Sequence, residues 1–470
     1  MAEIVVIGAG IGGSAAALLL ARDGHSVTVL ERDGGPLARS VDEAWSSWNR
    51  RAVSQFRLAH ILLPRGGSIL SDELPDVAAR LELAGGLHLD PIDGFLRQSG
   101  TPRRHREPDD DRFTMLTGRR STIEWVLAVT LEIGPSISVR RGVAVDSLIA
   151  GSRAAPGTPH VAGVRLDSGE EIAADLVVDA TGRNSPTVRW LSALGAIAPH
   201  EVVEDSGFAY YCRFFASADG TVPELRAPIL TPFGSMSVLT IPSDNGTWAI
   251  MLYASSTDKL LRRFRQPEVF ESVVRQCPLH AHWLDGEPIS EMASMVGVSD
   301  RKRTFLVDDQ PVVTGMLSIG DAAACSNPSL GRGMSFALMH TVLLRDMVRK
   351  HLDDPVELAR EFGRQTELEI GPWYDETRRI DRSRIEEMRA IADGREVEDT
   401  PQRRMAAAFD AAANSDLTVF RARSEIMCCL TRADEVLSRD GLLEHAIEVA
   451  GTAVDPPPGP DRARLGELVS

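Results

Sequence analysis

Lysine is nearly missing from this 470-residue chain: only Lys259, Lys302 and Lys350 occur, so almost all positive charge is arginine. With abundant Ala and Gly, that bias points to a GC-rich bacterial genome. Basic residues are also outnumbered, and the net charge of −16 repels phosphate backbones and anionic headgroups. It argues against nucleic acid or a membrane surface as partner. The five cysteines (Cys212, Cys277, Cys325, Cys428, Cys429) show no metal-ligand spacing, and adjacent Cys428 and Cys429 suit neither a simple disulfide nor a zinc site. Reduced, buried thiols are expected. No apolar stretch of 18 residues exists, and no basic segment precedes Ile4–Ile7. We therefore expect a cytoplasmic enzyme without stable membrane insertion.

What is present is a strand-turn-helix-strand signature. Ile4-Val5-Val6-Ile7 is short, β-branched and continuously apolar, as a buried parallel strand requires. It runs into Gly8-Ala9-Gly10-Ile11-Gly12-Gly13, then a helical stretch from Ser14 to Arg22, then a strand from Ser26 that ends at Glu31. In Gly8-x-Gly10-x-x-Gly13 the first glycine permits a tight turn. The second admits a pyrophosphate to the backbone, and the third lets helix and strand pack closely. The helix start offers unpaired N–H groups to phosphate, and Glu31 can accept from a ribose.

A second turn of this kind appears about 300 residues later. Leu317-Ser318-Ile319-Gly320-Asp321 ends a buried strand, and Asn327-Pro328-Ser329-Leu330-Gly331-Arg332-Gly333 leads into a long apolar helix. Asp321 can hold a polyol hydroxyl, and the helix start can favour the anionic edge of a reduced flavin. An NAD dehydrogenase has no need of that repeat; one FAD does. The remaining pattern predicts a buried strand over 172–180 ending in Thr181-Gly182. It also predicts antiparallel strands at Gly207–Ser217, Met236–Pro242 and Thr247–Ser255, a polar loop over 102–112, and a helical, charge-rich region from Pro355 to about Val454. A proline-rich tail with a short final helix closes the chain. The fold class is α/β: a Rossmann-type FAD-binding domain (1–204 and 297–355), an inserted antiparallel-sheet substrate domain (205–296) and a C-terminal helical region (356–470).

The chain resembles the group A flavin monooxygenases of the p-hydroxybenzoate hydroxylase-like fold, and within them the bacterial branch of lasalocid-type polyether epoxidases. The resemblance is carried by Gly8/Gly10/Gly13, residues 53–60 (VSQFRLAH), Gly118-Arg119-Arg120 leading to Trp125, residues 179–186 (DATGRNSP), Asp205-Ser206-Gly207, and Gly320-Asp321 with Asn327-Pro328. It departs at Ser54 (the branch has Pro) and Leu58 (the branch has His), and places Arg189 one residue late. The resemblance implies FAD contacts from Arg120 and Asp321, and a segment Gln55–His60 near the flavin ring. It also implies O2 chemistry through a flavin C4a-hydroperoxide, inserting one oxygen into an apolar natural-product-type metabolite by epoxidation or hydroxylation. NAD(P)H or a separate flavin reductase supplies the electrons.

The expected cofactor-binding set is Gly8, Gly10, Gly12, Gly13, Glu31, Arg32, Gln55, Arg57, Arg120, Gly182, Gly320, Asp321, Gly331 and Gly333. His60 and Arg57 are the candidates for a catalytic role. His60 is read as starting an apolar helix, Ile61-Leu62-Leu63, and Trp45 and Trp48 as packing. Tyr210, Cys212 and Phe214 alternate with Tyr211, Arg213 and Phe215, and the former set is the substrate-facing candidate, although alternation alone does not choose the face. Arg213 reads as an edge salt bridge. Two rival chemistries share the fold. A geranylgeranyl-reductase-type enzyme would move hydride. A flavin halogenase would need an early lysine and a Trp-x-Trp-x-Ile-Pro segment, neither of which occurs here. A flavin-binding protein without turnover is the non-enzymatic alternative.

Overall fold

Full burial on both faces is what the apolar run near the start demands, and the strand Glu3–Ile7 obtains it at the centre of a five-stranded parallel sheet. In the computed structural model, which describes residues 1–51, 53–99, 105–451 and 457–469, the sheet order is Met316–Ser318, Leu176–Asp179, Glu3–Ile7, Ser26–Glu31 and Ile137–Arg141. The helix Ile11–Arg22 makes the first crossover, and Ala15, Ala16, Leu19 and Leu20 pack into a core with Ile4, Val6 and Leu338. This helix begins at Ile11, three residues before the stretch expected from Ser14, because Gly12 and Gly13 lie in its first turn. The turn is close-packed. Gly8 adopts φ +103°, where a Cβ would stand 2.6 Å from the Ala180 carbonyl oxygen, and a Cβ at Gly13 would stand 1.9 Å from the Gly8 carbonyl oxygen.

The run over 172–180 is two strands rather than one. Glu171–Ala173 joins a small antiparallel sheet with Val161–Leu166, while Leu176–Asp179 enters the main sheet. The break falls at Asp175, which takes the Glu3 N–H on its carboxylate and donates its own N–H to the Glu3 carbonyl. Ile61–Leu62 is likewise a short strand against Met115–Thr117, not a helix start. The helix there begins at Pro64, a residue suited to the first helical position. In the polar segment 102–112, residues 102–104 lie outside the described residues and Asp110–Phe113 forms a 3₁₀ turn. Pro456 of the tail also lies outside them, and Arg462–Leu468 is the final helix.

The inserted sheet is antiparallel: Leu230–Phe233, Met236–Pro242, Thr247–Ser255 and Phe208–Ala216 in order, with Glu287–Pro288 and Ala293–Val296 both on the last strand. A ribbon of His200–Asp205 against Ser299–Thr304 leads into and out of it. One face (Tyr211, Phe215, Trp248) packs on Phe264, Phe270 and Trp283. The other (Tyr210, Cys212, Phe214, Met251) packs toward Leu58, Ala59 and Ile61 of the parallel-sheet half. A buried ion pair fastens the halves. Asp244, in a turn of the inserted sheet, accepts from the Arg119 backbone N–H (2.5 Å), Arg119 Nη2 (2.7 Å) and Thr122 Oγ1 (2.8 Å).

The C-terminal helices pack on both halves. Pro355–Glu369 lies on Gly333–His351, and Gly371–Ala392 lies against Thr247–Ser255 and follows it. Phe409, Val419, Ile426 and Val436 form a small separate core, tied to the body by Arg421–Asp110 (2.7 Å) and Arg112–Glu425 (3.0 Å). Among the described residues no helix is long and apolar enough to cross a membrane.

The Gly8–Gly13 approach makes a direct prediction. Gly13→Ala places a methyl against backbone that has no flexible end to yield, so it should lower the unfolding free energy by about 3 kcal/mol. Denaturant unfolding of the purified variant checks this.

Candidate functional site

Glu31 ends its strand with a buried carboxylate directed back at the glycine turn. Its Oε2 accepts from the Ala9 N–H (2.9 Å) and from Arg50 Nη2 (2.9 Å), and Oε1 accepts from the Asp33 N–H (2.9 Å). A carboxylate offers about four acceptor positions, so one remains for a ligand hydroxyl. Arg50 is buried and also meets Asp33 (3.1 Å) and Glu124 (3.0 Å), while Arg120 Nε meets the other Glu124 oxygen at 2.6 Å. Burial works against the Arg50 charge, but Glu124, Glu31 and Asp33 outweigh it and hold the guanidinium above its ordinary pKa. No feature of the local sequence marks Arg50; the signal is three acids from distant segments closing on one point.

The second turn is braced from behind. The Gly320 N–H donates to His340 Nδ1 (3.1 Å), so that imidazole is neutral with its proton on Nε2, and burial drives its pKa down to about 3. Asp321 follows, facing the cavity. Burial raises its pKa, and the nearby Arg183 and Arg120 guanidiniums oppose the rise. The helix Gly333–His351 starts there with no side-chain cap and no acidic residue in its first turn, as does Ile11–Arg22 at the first glycine turn. Both helix starts therefore present unpaired N–H groups and the positive end of the helix dipole.

Both open onto one cavity of about 1500 Å3. Gly8, Gly10, Gly12, Glu31, Arg32, Gln55, His60, Arg120, Gly182, Tyr210, Gly320, Asp321, Gly331 and Gly333 all line it. A Cβ built on Gly10, Gly182 or Gly333 would meet no protein atom within 4 Å, so the bare backbone faces open space that a ligand can approach closely. Four expected residues do not line it. Gly13 is sealed under Gly8. Cys212 and Phe214 share the inward face with Tyr210 but pack behind it, Phe214 on the Trp45 ring (centroids 4.9 Å apart). Arg57 lies over Trp45, 4.4 Å from the ring centroid, and donates to the Trp48 carbonyl (3.4 Å). The Trp45 and Phe56 rings and that carbonyl hold the guanidinium outside the cavity. Arg213 makes the expected salt bridge, to Glu271 at 3.0 Å, but not at a sheet edge, since its strand is paired on both sides.

His60 is engaged at both ring nitrogens. Its Nδ1–H donates to the Leu58 carbonyl (2.9 Å), leaving Nε2 to accept from Arg120 Nη1 (3.2 Å). Burial, with the adjacent Arg120 charge, pushes its pKa down to about 3, so it stays neutral and holds Arg120 against the cavity wall. At the far end the cavity is bounded by Leu230, Leu239, Ile241 and Met251 of the inserted sheet and by Phe420 and Met427 of the C-terminal helices. None of the three lysines lines it. Among the described residues no cluster of His, Cys, Asp or Glu could hold a metal ion.

Comparison with known proteins agrees with this geometry. Residues 6–52 match the model of an NAD(P)-binding Rossmann-like domain. The Mycobacterium tuberculosis protein Rv3254 is 28% identical over 377 residues, covering 77% of this chain and 76% of the relative. Kynurenine 3-monooxygenase of Xanthomonas campestris is 24% identical, covering 75% and 72%. Among solved structures, PqsL of Pseudomonas aeruginosa, described as a probable FAD-dependent monooxygenase, superposes with a TM-score of 0.56 at 18% identity, over 87% of this chain and 99% of that one. The myxobacterial chondrochloren halogenase CndH superposes with a TM-score of 0.60, also at 18% identity, over 95% and 97%. The chain has the fold of the FAD-dependent monooxygenases. Its sequence relatives place it among the oxidoreductases.

Removing the Arg50 charge should be costly, because it leaves Glu31 buried without a cation and Glu124 with Arg120 alone. Arg50→Met is expected to lose about 3–5 kcal/mol of stability, read by denaturant unfolding.

Proposed function

We propose that the chain holds one FAD between the two glycine-acid turns and uses it to insert one oxygen atom of O2 into an apolar small molecule. The observation that carries this is the convergence of two helix starts, each without a cap, on a single cavity lined by bare glycine backbone. In this reading Gly8, Gly10, Gly12 and the helix start behind them take the pyrophosphate, with Gly13 allowing the close packing beneath. Glu31 gives its remaining acceptor position to the ribose, beside Arg32. Asp321 takes a polyol hydroxyl, and Gly320, Gly331 and Gly333 let the flavin edge approach the second helix start. Gln55, Arg120 and Gly182 flank it, and His60 serves by fixing Arg120. Reduced flavin supplies the reaction with O2. The protein positions the substrate and excludes water, and Tyr210, Leu239, Ile241 and Met251 form the apolar wall that does so.

The apolar lining suits a medium or large natural-product-type metabolite, oxidised by epoxidation or hydroxylation, with electrons from NAD(P)H or a separate reductase. Halogenation is disfavoured because no lysine reaches the cavity. Hydride transfer of the geranylgeranyl-reductase type is separated by oxygen dependence: product formation should stop when O2 is withheld, and continued formation without O2 would select the reductase.

The cradle itself is tested at Gly10. Its backbone (φ −78°, ψ −175°) is open to any residue, so Gly10→Val should cost only about 1 kcal/mol of stability, the difference between Gly and Val at a helix N-cap. It should weaken FAD binding on the order of 100-fold, or about 2.7 kcal/mol. Titration followed by flavin fluorescence reads the affinity. Undiminished binding would place the cofactor elsewhere.

A further inference from the structure

The loop that carries Gly331 and Gly333 is held by two buried carboxyls that have no cation of their own. Elsewhere in the interior Asp179 is held by the hydroxyls of Thr181, Ser185 and Thr187, while Glu31, Glu124, Asp110, Asp244, Asp258 and Glu425 are each paired with an arginine. Asp300, on the ribbon strand Ser299–Thr304, and Asp381, on the helix Gly371–Ala392, are not. Both serve Asn327. Asp300 accepts its backbone N–H (2.6 Å) and Asp381 its side-chain amide (3.0 Å). Asn327 Oδ1 in turn accepts from the Tyr210 hydroxyl (2.7 Å), and Ser329 Oγ donates to the second Asp381 oxygen. Tyr210 and Ser329 line the cavity, whereas Asp381 is buried behind them.

No cation is paired directly with Asp381. Arg332 donates to the Ile426 and Met427 carbonyls and to Thr377, so its charge reaches Asp381 only at a distance, while Arg378 and Arg382 are paired with Glu204 and Arg384 with Glu387. Tyr210 and Tyr253, the other titratable neighbours, are held neutral by burial. Two carboxyls that share one buried residue resist ionising together. Burial, reinforced by the Asp300 charge and opposed by the bonds from Ser329 and Asn327 and by the more distant Arg332 charge, raises Asp381 to about 7.

We propose that Asp300 and Asp381 together hold one proton behind the flavin loop and that Asp381 exchanges it with the cavity through the Ser329 hydroxyl. The step balances without another reagent. With Asp381 ionised the Ser329 hydroxyl donates to it; with Asp381 protonated that hydroxyl turns to accept, and Asp381 then passes its proton to Ser329 Oγ as the Ser329 proton moves to the hydroxide-level second oxygen of O2, leaving water, Asp381 as carboxylate and Ser329 unchanged. The destination rests on the oxygenase reading, in which the second oxygen atom of O2 leaves as water and takes up protons inside a closed site. Asp381 acts through Ser329, so it is a positioning and relay residue rather than a catalytic one.

Infrared spectroscopy of the purified protein, with and without added FAD, tests this through the C=O band of a protonated carboxylic acid. The parent should show a band that titrates near neutral pH in both states. Asp381→Asn should abolish it, Asp300→Asn should move its titration to lower pH, and Ser329→Ala should keep it. In FAD-loaded protein the pH break in turnover near neutrality should vanish in both Asp381→Asn and Ser329→Ala, with a loss on the order of 10²-fold on the acid side. A band indifferent to Asp381→Asn overturns the proposal, as does a pH profile that both variants leave unchanged. If the band behaves as described but FAD fails to bind, the carboxyl pair stands and the flavin reading falls.

Discussion

The contact on which the rest of the molecule depends is the one between Gly8 and Gly13. Helix and strand approach so closely there that one carbonyl oxygen occupies the space a side chain would need. This approach starts the helix inside the turn and leaves its first N–H groups directed into the cavity. The same tight turn brings Ala9 within reach of the Glu31 carboxylate. A looser turn would present neither the bare backbone of Gly10 nor the fixed acid.

Around this contact the interior is organised by arginine. A guanidinium spreads its charge over a rigid fork of donors and satisfies several acceptors at once. Arg50 joins Glu31, Asp33 and Glu124, Arg119 locks the inserted sheet through Asp244, and Arg332 ties the C-terminal helices to the loop of Gly331 and Gly333. A lysine at any of these positions would bring one compact charge where a fork is needed. The near-absence of lysine is thus consistent with how the halves of the molecule are joined. Arg332 and Asp381 show that the C-terminal helices help build the loop beneath the cavity as well as covering it.

Much of the architecture was legible because its chemistry is local. Both glycine-acid turns are written in consecutive residues, and the strands of the inserted sheet alternate as a two-faced sheet must. Legibility failed wherever the partner is distant. Alternation could not tell which face of Phe208–Ala216 looks inward, and Cys212 and Phe214 proved to lie behind Tyr210. Arg57 was expected to contact the cofactor, but Trp45 and the Trp48 carbonyl claim it. The apolar run 61–63 reads equally as helix or strand until Met115–Thr117 supplies the pairing. Arg50 and Asp381 carry no local mark, since their partners lie 17 to 74 residues away for the first and 52 to 54 for the second.

The central claim is that two helix starts, 322 residues apart in sequence, serve one dinucleotide. A crystal structure of the protein with FAD tests it most directly. The account predicts the pyrophosphate within hydrogen-bond distance of the Gly10–Gly12 backbone, a ribose hydroxyl on Glu31, and the flavin pyrimidine edge against Gly331–Met334. A pyrophosphate bound elsewhere, or a flavin that leaves the second helix start facing solvent, would contradict it.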